Sequence, residues 1–178
     1  RLLKRGIKFY QMEKFVQELA WRDFWQRQWQ HHGVAINQDL KHPQEHVRFY
    51  GLPRAIQEAD TGIDVIDKAI EELYQTGYMH NHLRMYLASI VCNVGQYHWR
   101  IPAQWMFAHL LDGDWASNAL SWQWVAGANA KKKYWANQEN INHFCHANQG
   151  PTFLDFSYED LPQQDVPDVL KDRVSKPL

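Results

Sequence analysis

Three side chains of different chemistry recur at four-residue steps in one stretch of the sequence: Asp114, Asn118 and Trp122. Residues four apart share a helix face, so these three would line one wall of a site. The carboxylate accepts hydrogen bonds, the amide both donates and accepts them, and the indole is flat and apolar. Such a wall suits a planar, hydrogen-bonding ligand, although periodicity alone favours a capping Asp, a surface Asn and a core Trp.

A second helical face lies earlier in the chain and is not apolar. Asn81, Arg84, Ala88 and Cys92 follow one another at steps of three and four residues. This spacing places them on one side of a helix, next to a second, apolar side. The pattern predicts that something polar or flat lies against the face.

Composition limits the classes of protein to consider. The 178 residues are 45% hydrophobic and 22% charged, which is typical of one globular domain. The formal net charge of -1 gives no global positive field, so any DNA-binding face must be local. Cys92 and Cys145 lie far apart without a CxxC pair, so neither a metal site nor a disulfide is predicted. The unpaired cysteines fit a reducing, intracellular setting, so we expect a cytoplasmic protein, and we expect it to be a monomer. No apolar run is long enough to span a membrane.

Apolar periodicity predicts an all-α fold, an irregular helical bundle without a heptad repeat. Residues 34–53 are predicted to be a long loop, and Trp25 and Trp29 are predicted to pack in the core. We expect residues 1–178 to form one helical domain in which 1–11 and about 150–178 are loop or peripheral. The predicted helices are Met12 to His32, a helix capped by Thr61 that ends at Gly77, one from Asn81, Pro102 to Leu111, Trp115 to Ala126, and Gln138 to His146.

Two segments are distinctive enough to suggest a family. Residues 76–85 read TGYMHNHLRM, and residues 111–118 read LDGDWASN, followed by WQW at 122–124. Both resemble segments of the DNA photolyase and cryptochrome family, in the family's order. ELAWRDF at 18–24 and TGIDVID at 61–67 extend the resemblance, which covers Phe15 to Trp124 and fades afterwards.

The resemblance implies a helical domain that binds FAD. Asn118 would face the reactive edge of the flavin, Trp122 would be the tryptophan nearest to it, and Trp99 would be the middle member of an electron-transfer chain. Arg84 and Asp112 would form a charge-assisted pair that positions both side chains and biases the protonation and redox state of the flavin. The positions that match the family's cofactor contacts are Asn81, Arg84, Asp112, Asp114, Asn118 and Trp122.

The resemblance also implies that damaged DNA is the partner. A flipped-out pyrimidine dimer needs apolar stacking walls and a few hydrogen-bonding groups. The matching residues are Glu18, Trp21, Arg22, Met85 and Trp124. Lys131 and Lys132 lie where the family's sequence differs, and they are either solvated surface or a rim that grips phosphate.

Three departures from the family keep several functions open. The family's phosphate-binding segment and its antenna domain have no counterpart in this sequence, so we expect FAD to be bound weakly or not at all by this piece alone. His46 stands where the outermost tryptophan of the electron-transfer chain is expected, and Tyr50 or Trp105 would have to replace it. His82 stands where the family has an arginine. The candidate functions are a photolyase, a cryptochrome-type photoreceptor and a flavin-free helical binding module.

Overall fold

The structure is a computed structural model that describes residues 5–176. Most of these residues are helical, and the helices surround one hydrophobic core. The helices are α1 (Phe9–His32), α2 (Arg54–Glu58), α3 (Asp64–Thr76), α4 (Asn81–Ser89), α5 (Arg100–His109), α6 (Trp115–Ala126) and α7 (Gln138–Cys145). A π-helical turn, Ile90–Val94, continues α4, and short 3-10 turns lie at Gly33–Asn37, Leu161–Gln163 and Asp168–Leu170.

The two strands of the described residues are only two residues long. β1 (Leu52–Pro53) pairs antiparallel with β2 (Arg173–Val174). A pair this short cannot organise a fold, so the all-α prediction is confirmed. Among residues 5–176, we find no helix that combines the length and the apolar character needed to cross a bilayer.

Helix α6 lies at the centre of the bundle and packs against α1, α4 and α5. Its N-terminus is capped by Asp114, whose Oδ1 accepts the backbone N–H of Ser117 at 2.7 Å. Gly127 ends the helix with a φ of 82°, a left-handed conformation that suits glycine. Eight of its twelve residues are buried, so tertiary packing holds this helix on most of its circumference.

Helix α1 is long but only lightly buried. Met12 is its one buried residue, because the rest of the helix meets solvent on most sides. The prediction that Trp29 packs in the core is wrong, since this side chain is 38% exposed, and Trp25 is half-buried against the cavity described below. The apolar pattern in the sequence identified the helix correctly, but it overestimated how many of the helix's side chains are buried.

Several helix boundaries differ from the predicted ones. Thr61 does not cap α3 directly, because the helix begins at Asp64. Its hydroxyl instead accepts the N–H of Ile63 and donates to Asp67 at 2.6 Å, which closes the turn before the helix. Helix α5 ends at His109 instead of Leu111, and α7 ends at Cys145, followed by His146 in a left-handed conformation.

The C-terminal segment packs more closely than the sequence suggests. We expected about 150–178 to be loop or peripheral, yet Leu154, Leu161, Val166 and Leu170 are buried in the core. Their isolated positions follow no helical or strand period, so only the tertiary fold shows that they are covered. At the other end, α1 begins at Phe9, inside the stretch predicted as loop, and residues 1–4 and 177–178 lie outside the described residues.

Candidate functional site

A cavity of about 780 Å³ lies between α1, α4 and α6. Its volume is within the range of sites that bind small molecules and cofactors. Residues from all three helices and from three loops form its wall. They are Glu18, Trp21, Arg22, Phe24, Trp25, Gln28, Lys41, Asn81, Arg84, Met85, Ala88, Leu110, Asp112, Asp114, Ser117, Asn118, Ser121, Trp122, Trp124, Val125, Asn129 and Ala130.

One face of α6 forms one side of the cavity. Asp114, Asn118 and Trp122 all line it, as their four-residue spacing predicts. Asn118 is 9% exposed, and its Nδ2 donates to the carbonyl oxygen of Ala103 on α5 at 2.8 Å. Among the described residues no donor reaches Asn118 Oδ1, which leaves an acceptor free at the cavity wall. Trp122 is only 2% exposed and closes the floor with a flat apolar surface.

An ion pair links α4 to the loop before α6. Arg84 Nη2 lies 3.0 and 3.1 Å from the two carboxylate oxygens of Asp112. Arg84 Nε also donates to the carbonyl oxygen of Met79 at 2.7 Å, which holds the guanidinium in one orientation. The arginine side chain is 24% exposed and the aspartate 54% exposed, so the pair stands at the rim where it can meet a polar ligand.

Asp114 connects this side of the cavity to α1. One carboxylate oxygen caps α6, and the other accepts a hydrogen bond from the side-chain amide of Gln26. Arg22 Nε lies 3.8 Å from the same oxygen. Asp114 is therefore both the N-cap of α6 and the anchor by which α1 is attached near the cavity.

Exposed aromatic side chains form another part of the cavity wall, the aromatic end. Trp21 on α1 is 48% exposed and stacks on Trp25 with ring centroids 5.9 Å apart. Trp124 on α6 is 41% exposed and lies 5.8 Å from the ring of Tyr134. Met85 completes an apolar surface that stays open to solvent. Glu18 and Arg22 supply charge beside it, so this end can stack on a flat ring and hydrogen-bond its edge.

The structure brings most of the predicted site residues together, but not all of them. Trp99 is fully buried in the core and does not line the cavity. Lys131 and Lys132 are exposed on the turn after α6 and do not line it either. The lysine in the wall is Lys41, from the loop after α1. His82, which stands at a family arginine position, is also outside the wall and packs near Tyr86 and Phe144.

Eleven wall residues were not predicted as site residues. Trp25 follows Trp21 by four residues, and Ser121 follows Ser117 by four, so helical spacing could have identified these. Lys41 and Asn129 come from loops that meet because the backbone N–H groups of Lys41 and His42 both donate to the carbonyl oxygen of Ala128, at 3.0 Å. No local pattern indicates that contact. The eleven are Phe24, Trp25, Gln28, Lys41, Ala88, Leu110, Ser117, Ser121, Val125, Asn129 and Ala130.

The donor set of the cavity fits FAD. An isoalloxazine ring needs flat apolar contact on its faces and hydrogen-bonding groups at its edge. Trp122 and Ala88 provide the first, and Asn118 Oδ1 and the Arg84–Asp112 pair provide the second. Asn129 adds a side chain that is 7% exposed and whose buried Oδ1 has no partner among residues 5–176. Within the same residues we find no cluster of His, Cys, Asp and Glu arranged to bind a metal ion.

Comparison with known proteins gives the same result. The family profile described as the FAD binding domain of DNA photolyase matches residues 15–153. A deoxyribodipyrimidine photo-lyase from Neurospora crassa is 34% identical over 121 residues, which cover 65% of this chain and 19% of that protein. The chain therefore spans about a fifth of the length of this relative.

Two solved structures share the fold. The cryptochrome of Synechocystis sp. PCC6803 aligns with a TM-score of 0.65 and 25% identity, over 75% of this chain and 29% of that one. A class III photolyase from Agrobacterium tumefaciens aligns with a TM-score of 0.65 and 29% identity, over 80% and 31% of the two chains. The chain belongs to the family of the FAD binding domain of DNA photolyase, and its cofactor is FAD.

Proposed function

We propose that this domain carries out light-driven repair of pyrimidine dimers in DNA, with FAD in the cavity between α1, α4 and α6. The observation that supports the proposal is the continuity of the cavity. The polar wall that suits a flavin and the open aromatic end that suits a flipped-out base belong to one space. A dimer bound at the aromatic end would be close enough to the flavin for an electron to pass.

The cofactor residues would act by orientation. Asn118 would offer its free Oδ1 to a ring N–H of the flavin, and Arg84 would present its charge to the polar edge. Asn81, Asp112 and Asp114 would complete the polar contacts, and buried Trp122 would keep water from one face of the ring. Reduced FAD, when excited by light, supplies one electron to the dimer and regains it after the two C–C bonds of the cyclobutane ring break.

The aromatic end would hold the lesion. Trp21 and Trp124 would stack on the flipped pyrimidines, Met85 would fill the space between them, and Glu18 would accept hydrogen bonds from their N–H groups. Arg22 and Lys41 are exposed and lie in the same wall, where they would contact the flanking phosphates. We further expect the protein to act as a monomer, which light scattering in solution would check.

Two measurements on the protein as its gene encodes it test the proposal. An absorption spectrum of the purified protein is expected to show the bands of oxidised flavin, and a colourless protein would contradict it. With the flavin chemically reduced, blue light is expected to restore the ultraviolet absorption of thymine in a dimer-containing oligonucleotide. The same oligonucleotide without protein is the control.

A cryptochrome-type photoreceptor is the second candidate. The similarity to the Synechocystis cryptochrome favours it as much as the similarity to the Agrobacterium photolyase favours repair. Bound flavin without any recovery of thymine absorption would support the photoreceptor. Substituting Trp124 by Ala separates the two further, because it should abolish dimer binding in a photolyase and leave flavin photoreduction in a photoreceptor unchanged.

A further inference from the structure

Aromatic side chains continue from the aromatic end of the cavity onto a side of α4 that does not line it. Trp124 belongs to the cavity wall, and its ring centroid lies 5.8 Å from that of Tyr134, on the segment after α6. On α4, the ring of His82 stacks on Tyr86 with centroids 6.4 Å apart and an angle of 22°. The ring of His82 also lies 5.9 Å from that of Phe144 on α7. His82 and Tyr86 are four residues apart, so they share one face of α4.

Three phenol groups join these two sets of rings. The segment that carries Tyr158 packs on the π-helical turn that continues α4. Burial raises the pKa of Tyr86, and the neighbouring phenols of Tyr134 and Tyr158 raise it further. Burial also raises the pKa of Tyr134, again with a contribution from Tyr158. Ionisable groups affect one another in this way when they lie close together. We call the resulting cluster the aromatic strip, and its members are His82, Tyr86, Trp124, Tyr134, Phe144 and Tyr158.

The aromatic strip presents open rings on a fixed backbone. Trp124 is 41% exposed, Tyr158 is 47% exposed and Phe144 is 55% exposed. The backbone N–H of Tyr134 donates to the carbonyl oxygen of Val125 at 3.0 Å, which holds the segment after α6 against that helix. Large exposed rings that lie side by side are typical of a surface that binds a partner, and an anchored backbone lowers the entropy cost of binding.

The charge of the aromatic strip indicates what kind of partner it fits. None of its six residues is a lysine or an arginine, so the strip is not built to hold phosphate groups. Burial raises the pKa of Tyr158, and the carboxylate of Glu139 beside it raises this pKa further. A negative group at this place disfavours phosphate but leaves the ring faces free. Nucleobases have flat faces and polar edges, and they stack on aromatic side chains without regard to sequence.

The position of the strip favours bases over a protein partner. It begins at Trp124, the residue of the aromatic end that is proposed to stack on a flipped pyrimidine. The bases that follow the lesion on the same strand must leave the cavity beside this side chain. The strip therefore starts where those bases emerge.

We propose that the aromatic strip binds unpaired nucleobases that flank the lesion on the same DNA strand, by stacking them on its exposed rings. This inference rests on the proposed function, because a dimer at the aromatic end sets the position of the strand. Tyr158 and Phe144 supply the outer stacking faces, and buried Tyr86 supports the rings from below. Bases that are paired within a duplex are already stacked on their neighbours, so the strip acts on unpaired bases only.

The first test is binding in the dark of a single-stranded oligonucleotide that contains one thymine dimer, followed by fluorescence anisotropy. Tyr158→Leu and Phe144→Leu remove a ring but keep an apolar side chain, and each should lower the affinity by about fivefold or more. Tyr158→Phe keeps the ring and should bind as the parent does. Tyr50→Leu is the control, because Tyr50 is 62% exposed and stacks on His98 instead. Unchanged affinity in both strip variants would overturn the inference and leave the strip to a protein partner.

Salt and duplex controls separate base stacking from phosphate contact. In Tyr158→Leu and Phe144→Leu the slope of log affinity against log salt concentration should equal that of the parent, since no phosphate contact is lost. The same variants should lose much less affinity for a duplex that carries the same dimer. A smaller salt slope in these variants, or an equal loss on the duplex, would overturn the assignment to unpaired bases.

A fluorescent base locates the contact. The base 2-aminopurine is placed close to the dimer, on one side in one oligonucleotide and on the other side in a second. Because the strip leads away from the cavity in one direction, binding should change the fluorescence on one side more than on the other. Phe144→Leu should reduce that change. Equal changes on both sides that persist in Phe144→Leu would contradict the proposed path of the strand.

Binding and repair together separate this inference from the proposed function. A parent protein that binds the dimer strand through the strip but restores no thymine absorption in light would count against the proposed function alone. A parent that repairs, with both strip variants binding as it does, would overturn the strip alone. A parent that binds no single-stranded DNA would also overturn the strip, whatever its activity on a duplex.

Discussion

The two long walls of the cavity are built in opposite ways. Helix α6 buries eight of its twelve residues, and its cap, its C-terminal glycine and its neighbours on three sides hold it in place. Helix α1 buries only Met12 of its 24 residues, although it carries Trp21, Phe24 and Trp25 into the same cavity. Beside the cavity, α1 is held mainly by two polar side chains, Gln26 and Arg22, which contact the carboxylate of Asp114.

The difference matches the two tasks proposed for the cavity. A cofactor needs groups held within a fraction of an ångström, and those groups project from the buried α6 and from α4. A flipped base must enter and leave, and the residues proposed to hold it project from the exposed α1 and from the solvent-facing Trp124. Surfaces with few buried contacts open more readily than the core, so α1 can adjust to the lesion while α6 stays fixed.

The largest expected effect compares two tryptophans of α6. Trp122→Ala removes a side chain that is 2% exposed, and it should lower the free energy of unfolding by about 3–5 kcal/mol because a large cavity remains. Trp124→Ala, two residues away and 41% exposed, should cost less than about 1.5 kcal/mol. Urea unfolding followed by far-ultraviolet circular dichroism measures both. Equal losses would mean that α6 is not held as the structure shows.

The second prediction concerns the residue that joins the two walls. Asp114→Ala removes the N-cap of α6 and the acceptor for Gln26, and it should lower the free energy of unfolding by about 1–2 kcal/mol. Amide hydrogen exchange should also speed up along α1. The matched control is Asp112→Ala, which breaks a more exposed ion pair and should cost less than about 1 kcal/mol. Unaltered exchange in α1 would show that Asp114 is not its anchor.

The third prediction concerns Arg84, at the rim of the part of the cavity that is proposed to bind flavin. Arg84→Lys keeps the charge but loses the planar guanidinium that contacts both Asp112 and the carbonyl oxygen of Met79. Flavin affinity should fall by about tenfold, equivalent to about 1.4 kcal/mol, in a fluorescence titration. Arg27→Lys, on the outer surface of α1, should leave the affinity unchanged. Equal affinity in Arg84→Lys and the parent would remove Arg84 from the cofactor contacts.

The fourth prediction separates a lysine in the cavity wall from a lysine outside it. Lys41 lines the cavity, whereas Lys131 does not. Lys41→Gln should reduce the slope of log affinity against log salt concentration for damaged DNA by about 0.9, the value for one phosphate contact. Lys131→Gln should leave the slope close to that of the parent. If Lys131→Gln reduced the slope and Lys41→Gln did not, the turn after α6 would be favoured as the surface that contacts phosphate.

The smallest expected effect is a pH dependence at His98, whose ring stacks on that of Tyr50. Burial lowers the pKa of His98, although neighbouring Asp39 partly opposes this. The unfolded chain therefore takes up the proton more readily, and the free energy of unfolding should decrease as the pH falls below about 6.5. In His98→Asn this part of the decrease should disappear in urea unfolding at pH 7 and pH 5.5. A parent protein whose stability rises over this range would contradict the sign.

Much of the cavity wall that is proposed to contact the flavin could be predicted, because it depends on spacing within a single helix. Asp114, Asn118 and Trp122 line the cavity as the four-residue period requires, and Asp114 also caps α6 as the turn before it indicates. Helical periodicity is a local property, so it needs no knowledge of the neighbouring elements. The same reasoning failed for Trp29 because a period identifies an apolar face without showing whether anything covers it.

The amino-acid order alone indicated the family, the polar face of α6 and the described α-helices other than α2, since each depends on residues close together in the chain. Only the tertiary structure showed that Lys41 and Asn129 share the cavity with α6, and that Asp39 accepts a hydrogen bond from the indole N–H of Trp99. The hydrogen bonds that make these contacts, Trp99 to Asp39 and Lys41 to Ala128, join residues 60 and 87 positions apart. In each, at least one partner lies in a loop that has no periodic pattern. The buried amide of Gln123 fixes the loop that bears Asp39, and a hydrogen bond across 83 positions leaves no mark in local sequence.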